Sequence, residues 1–307
     1  MGTQLTPRIQ AWKDRGYRED FRNYNIHCFY QEGNGNGPLH VICHGYPTCS
    51  YDWVKVIDLL PTKEFLTFDF LGFGLSDKPP NHDYTLAWQA DLVEELLIRH
   101  EKKYAKKYTK GMDVILIGHD MGTSVVSELL ARDLEHSLNP KIKLVGSFLF
   151  NGSMFMERAN LILGQKVLRS FAGPWLARFT FSSLFRWQLG SVFSRSLPLS
   201  QEEGEDQWAL MSLQNGHKIN DKLIRYTFER VEKAERWLGA VKNWDKPIAY
   251  AWGMQDPVCG AWQWEGWREL RPNADITEMQ DLGHYPQIED PAAFTKVMQS
   301  SMEKIMQ

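Results

Sequence analysis

Asp120, Asp256 and His284 have the types and the chain order of a nucleophile, an acid and a general base. Asp120 stands in Gly118-His119-Asp120-Met121-Gly122, directly after the apolar run 114–117 and directly before helical spacing over 121–132. That is a strand–turn–helix elbow of the form Gly-x-nucleophile-x-Gly, with Asp at the nucleophile position. Glycines on both sides suit a sharp turn, and the helix N-terminus behind it favours a carboxylate's charge. Taken alone, Asp120 would pass as an ordinary helix N-cap. Asp256 follows the run 248–252 in Trp252-Gly253-Met254-Gln255-Asp256-Pro257, and His284 follows 276–279 in Leu282-Gly283-His284-Tyr285-Pro286. Singly, an Asp before Pro is a turn former and a loop His a surface residue. Together, each just past the C-terminal end of a strand, they read as a catalytic triad.

An aspartate nucleophile selects the chemistry. Attack on an ester carbonyl would give an anhydride, with no advantage over serine. Attack on a saturated carbon gives an alkyl ester of the enzyme, whose own carbonyl water can then hydrolyse. Asp120 therefore points to an epoxide or a carbon–halogen bond. In the second step His284 takes a proton from water, with Asp256 orienting the ring and stabilising its charged form.

These residues need a scaffold, and composition limits the choices. The chain has 307 residues, 43% hydrophobic and 24% charged, with 35 Lys and Arg against 38 Asp and Glu for a net charge of −3. This is globular composition, not that of a disordered chain, collagen or a coiled coil. Its apolar runs are far shorter than the ~18–20 residues of a membrane span, and the polar start of the chain is no secretory signal. The densest basic stretch, 102–110, suits a solvated helix end better than a nucleic-acid site. Cys28, Cys43, Cys49 and Cys259 show neither a CxxC pair nor zinc-like spacing. Gly72-x-Gly74 meets Asp77 where a dinucleotide fingerprint needs glycine. No metal, cofactor, nucleic acid or membrane span is expected, and reduced thiols point to a cytoplasmic protein.

Strand and helix patterns alternate through the first half. Strands are expected at 26–30, 39–43, 65–70, 114–117 and 144–150, and helices at 52–60, 86–100 and 121–132. Asn34-Gly35-Asn36-Gly37 has strong turn chemistry and predicts a hairpin between the first two strands. From about Ser153 to Trp237 no strand is legible, and the segment reads as a helical insertion with a helix over 221–237. Strands return at 248–252 and 276–279, and an amphipathic helix over 292–305 closes the chain. The expected organisation is an α/β core over 1–152 and 239–307 with a mostly parallel sheet, interrupted by a helical cap over 153–238.

The chain resembles α/β-hydrolases of the epoxide hydrolase type, and within them the mesoderm-specific-transcript-like group. The resemblance rests on His44-Gly45-Tyr46-Pro47 with Trp53 beyond it, on the loop from Asp69 to Pro79 (Asp69-Phe70-Leu71-Gly72-Phe73-Gly74), on Gly118 to Gly122, and on His284-Tyr285-Pro286-Gln287. It implies an α/β-hydrolase fold with a helical lid. It implies an oxyanion site made by the amides of Tyr46 and Met121, in a substrate-binding loop that includes His44 and Pro47. The family opens its epoxides with two cap tyrosines. Tyr226 matches the second, with half-buried packing as the alternative, and the first has no match, since no other tyrosine lies between Tyr108 and Tyr250. Haloalkane dehalogenases carry Trp after the nucleophile, and fluoroacetate-type enzymes carry Arg there and in the Asp69 loop. Met121 and Leu71 occupy those places here. The expected activity is hydrolysis of a small apolar epoxide by water to a diol. Dehalogenation and non-catalytic ligand binding are the alternatives, and a homodimer is left open.

Overall fold

The apolar run around 114–117 becomes the middle of the molecule. The computed structural model describes residues 5–35, 37–158 and 160–307. Strand β5 (Met112–His119) is buried at every position except Asp113, which is what a strand covered on both faces requires. It lies parallel between β3 (Leu39–Cys43) and β6 (Ile142–Phe150), with Ile117 opposite Ile42 on one side and Phe148 on the other. The remaining strands are β1 (Tyr17–Phe21), β2 (Tyr24–Gln31), β4 (Phe65–Phe68), β7 (Ile248–Gly253) and β8 (Asp275–Met279). The eight-stranded order is β1-β2-β4-β3-β5-β6-β7-β8, antiparallel at β1-β2 and β2-β4 and parallel thereafter. Helices Leu86–Lys103 and Met121–Leu134 pack together against one face. Val54–Leu59 and Pro291–Ile305 cover the other.

Two expectations are corrected at the sheet's first edge. The strand at 26–30 does not pair with β3, because β4 lies between them. It folds back instead on β1 through Arg22 and Asn23, both at positive φ. Glycine and asparagine mark a turn without naming the partner strand, and the fully buried β3 gains more from parallel neighbours on both sides. Asn36, within the expected hairpin turn, lies outside the described residues. Strand β1 escapes hydropathy because it is an edge, charged at Arg18, Glu19 and Asp20, a pattern that discourages pairing with other chains.

Between β6 and β7 every regular element among the described residues is helical. The expected helix over 221–237 is broken into Asn220–Leu223, Tyr226–Glu232 and Ala234–Asn243. At the first break Thr227 Oγ1 donates to Ile224 O at 2.8 Å, competing with the helical ladder. The consequence is local: Tyr226 begins its own short helix and faces inward.

Candidate active site

The chain turns at the end of β5 with no slack. Asp120 has φ 44° and ψ −109°, a backbone state that non-glycine residues rarely occupy. The elbow fits only because its neighbours are small. A Cβ on Gly122 would sit 2.1 Å from the carbonyl oxygen of Cys43 on β3. Asp120 is not acting as a helix N-cap, since its side chain makes no cap bond. Its Oδ2 instead accepts the amide of Tyr46 at 3.0 Å. The strain thus aims a buried carboxylate away from its own helix and toward the loop after β3.

His284 is fixed from behind. Its Nδ1 lies 2.7 Å from Asp256 Oδ2. Asp256 Oδ1 accepts the amides of Val258 at 2.8 Å and Cys259 at 2.9 Å, and Oδ2 also accepts Asn151 Nδ2 at 2.8 Å. An acceptor this well supplied keeps the proton on His284 Nδ1 and leaves Nε2 with its lone pair. Nε2 has no protein partner among the described residues. Burial penalises charge on both groups. For Asp256 the His284 charge and these hydrogen bonds outweigh it and hold the carboxyl below its usual range. For His284 the charge and hydrogen bond of Asp256, then the charge of Asp120, raise the imidazole above its usual value.

Tyr226 is buried, its ring 5.6 Å from that of Tyr46. Burial, then the charge of Asp120, push its phenol well above the ordinary range, so it stays protonated and able to donate. Its hydroxyl has no protein partner among the described residues. Pro47 lines, with Tyr46 and His284, a cavity whose far wall is Leu168, Leu176 and Phe185 from the helical segment. Met121 opens the helix after Asp120, where N–H groups lack intrahelical acceptors. His44 takes a different part from the one expected. Its Nε2 accepts the Phe70 amide at 2.9 Å and its Nδ1 faces Gly45 O at 2.8 Å, so both nitrogens are committed to backbone. Burial lowers it to about 4, and its two contacts brace the loop after β3.

Three residues of this cluster went unread in the sequence. Arg230, 1% exposed, sends Nη2 to the carbonyl of Asp120 at 2.7 Å and Nε to Ser124 Oγ at 2.8 Å. The same Nη2 is 3.6 Å from Asp120 Oδ1, and the guanidinium lies 4.6 Å from the centre of the Tyr226 ring. Its signal was the four-residue spacing from Tyr226 on one helix face. Asn151 stands just past β6, the same strand-end position as Asp120 and Asp256. Tyr285 follows the histidine, and its hydroxyl donates to Tyr46 O at 3.0 Å.

Donor atoms of Asp256, Cys259 and His284 lie within 4.8 Å of one another. They do not suit a metal. The Asp256 oxygens already accept four hydrogen bonds, and burial keeps the Cys259 thiol protonated. No helix among the described residues is long and apolar enough to cross a membrane.

Residues 38–291 match the alpha/beta hydrolase fold family. The chain is 42% identical over 291 residues to a putative hydrolase, LipZ, of Mycobacterium tuberculosis, covering 95% of this chain and 96% of LipZ. It is 33% identical over 300 residues to the mesoderm-specific transcript homolog protein of Bos taurus, covering 95% and 87%. The crystal structure of haloalkane dehalogenase DbeA from Bradyrhizobium elkani superposes with a TM-score of 0.76 at 18% identity, over 95% of this chain and 98% of that one, a likeness of fold. By family match, by these relatives and by its sheet, the chain belongs to the alpha/beta hydrolase fold family, in the company of the mesoderm-specific transcript proteins.

Proposed function

We propose that the protein is an epoxide hydrolase working through an Asp120 alkyl ester, with residues 153–238 as a cap over the site. The observation that carries this reading is the direction of the Asp120 carboxylate, which takes the Tyr46 amide instead of capping its helix. A carboxylate held there is free to attack carbon, beside an imidazole whose Nε2 is unclaimed.

In the first step an Asp120 oxygen bonds to an epoxide carbon as that carbon's bond to the ring oxygen breaks. The resulting alkoxide takes the proton of Tyr226, whose phenol is neutral at ordinary pH. The phenolate left behind lies under the Arg230 guanidinium, whose charge favours it. That cation supports ring opening by one tyrosine where the family uses two. In the second step His284 Nε2 takes a proton from water and the oxygen attacks the ester carbon of Asp120. The Tyr46 and Met121 amides receive the oxyanion. On its collapse the departing alkoxide takes the proton from His284, and the carboxylic acid left on Asp120 gives up its proton, which returns to the Tyr226 phenolate. The products are a diol and the free carboxylate.

The test is product analysis on a panel of styrene oxide and small aliphatic epoxides, beside a panel of haloalkanes, with Asp120→Asn as control. Diol formation that Asp120→Asn abolishes supports the reading. Halide release without diol formation overturns it.

A further inference from the structure

The helical segment that walls the cavity is apolar on both of its faces. Leu168, Leu176 and Leu189 point to the cavity. On the other side Leu163, Phe171, Trp175, Phe179, Phe181 and Trp187 stand 58% to 97% exposed, half of the twelve large exposed hydrophobic side chains among the described residues. Helices apolar all round belong in apolar surroundings, and an outer face of this kind marks an interaction site. The elements that carry these side chains touch one another. Trp175 and Phe179 stack at 6.4 Å, helices Leu163–Leu168 and Gly173–Arg178 are in contact, and Gly164 abuts Gln188 on Ser182–Gly190 closely enough that a Cβ would clash.

The charge of the segment itself is equally one-sided, and the groove beside Arg178 and Phe179 sets Lys78, Lys218 and Lys222 against Asp221. From residue 158 to residue 201 there is no Asp or Glu, while Arg158, Lys166, Arg169, Arg178, Arg186 and Arg195 make +6. The rest of the chain holds 29 Lys and Arg against 38 Asp and Glu, a net of −9. Arg158 and Arg186 have acidic neighbours in Glu269 and Glu205, and Arg169 lies 4.2 Å over the Phe228 ring. Lys166, Arg178 and Arg195 are exposed and make no ion pair among the described residues.

We propose that this outer face, centred on Trp175 and Phe179 with Lys166 and Arg178 beside them, docks the protein on an anionic lipid surface. Aromatic and aliphatic side chains enter the headgroup boundary while cations meet lipid phosphates. A two-fold pairing of copies through this face would set like charges against each other, which disfavours a second copy as its cover. Six apolar side chains to three free cations is the balance of an interfacial helix face, not of a groove that tracks phosphates. The proposal does not depend on the reaction assigned to the cavity.

The test is co-flotation of the full chain with phosphatidylcholine vesicles, with and without phosphatidylglycerol. The expected result is binding that needs phosphatidylglycerol and weakens as salt rises. Trp175→Ser with Phe179→Ser lowers the affinity about tenfold or more. Lys166→Glu with Arg178→Glu does the same, at about fivefold for each cation removed. Because these side chains are exposed, both variants keep the parent's melting temperature and its turnover of a water-soluble substrate. No binding to the anionic vesicles, or unchanged binding by folded variants, overturns the proposal. So does a parent dimer that the serine variant converts to monomer in sedimentation velocity, or an oligonucleotide bound more tightly than the vesicles.

Discussion

Arg230→Met replaces the buried guanidinium with a side chain of similar length and no charge. Two charge-assisted hydrogen bonds disappear, at 2.7 Å to Asp120 O and 2.8 Å to Ser124 Oγ, a gross loss of ~3–6 kcal/mol. Part of this is recovered because a desolvated cation is removed. The carbonyl of Asp120 also keeps the amide of Thr123 at 3.1 Å and its hydroxyl at 2.6 Å. A net loss of about 2 kcal/mol in stability follows. The reaction suffers more, since the cation near Asp120 Oδ1 and over Tyr226 is gone when the phenolate forms. Loss of preorganised stabilisation of this kind lowers the rate by ~10²–10³. Single-turnover measurements should place that loss in alkylation, with ester hydrolysis nearly untouched. Arg230→Lys should recover part of the rate, because it keeps charge without the fork that reaches both partners. A methionine variant within about 0.5 kcal/mol of parent stability and within about threefold of its alkylation rate would refute the assignment.

Tyr226→Phe should slow alkylation by ~10² while leaving hydrolysis of a formed ester intact, and equal slowing of both steps by rapid quench would contradict its role as acid. General-base catalysis needs neutral His284, so the hydrolysis rate should climb as pH rises through an imidazole value raised above ~6.5. Asp256→Asn removes the raising charge and leaves burial dominant, so the acid limb of the rate profile should shift to lower pH as the maximum falls; an unmoved or raised limb argues against the pair. Burial first of all lowers His40, His44 and His100 to about 4 each. Below ~6.5 the unfolded chain binds protons that the native state refuses, so stability is whole above that pH and falls by ~1.4 kcal/mol per pH unit for each histidine down to pH ~4. Urea midpoints at neutral and mildly acid pH should show this fall, and a flat profile would contradict it. Gly122→Ala should cost at least ~3 kcal/mol, because the added carbon meets the rigid backbone of β3; a melting temperature like the parent's would show that the elbow has room.

What could be read from the residues was whatever repeats with short period. The run at 114–117 announced β5, the helical spacing after it announced Met121–Leu134, and the strand ends located Asp120, Asp256 and His284. Contacts between residues far apart in the chain were hidden. Nothing local says that β4 enters between β2 and β3, so the expected hairpin failed. Arg230 looks like any surface cation on an amphipathic helix until the fold sets it against Asp120, 110 residues away. His44 sits in the family's loop motif, yet its ring serves Phe70. The break before Tyr226 depends on a Thr227 side chain choosing a backbone oxygen, a competition that periodicity does not record.

If Asp120 bonds to substrate carbon and His284 brings the water that breaks that bond, an enzyme without the base should stall at the ester. His284→Gln leaves the carboxylate in place and removes the base, so the ester should accumulate. Intact-protein mass spectrometry of this variant after exposure to styrene oxide should show the mass of one epoxide added, and peptide mapping should place it on Asp120. An adduct on another residue would contradict the account, and so would an unmodified variant when the parent enzyme turns the same epoxide over.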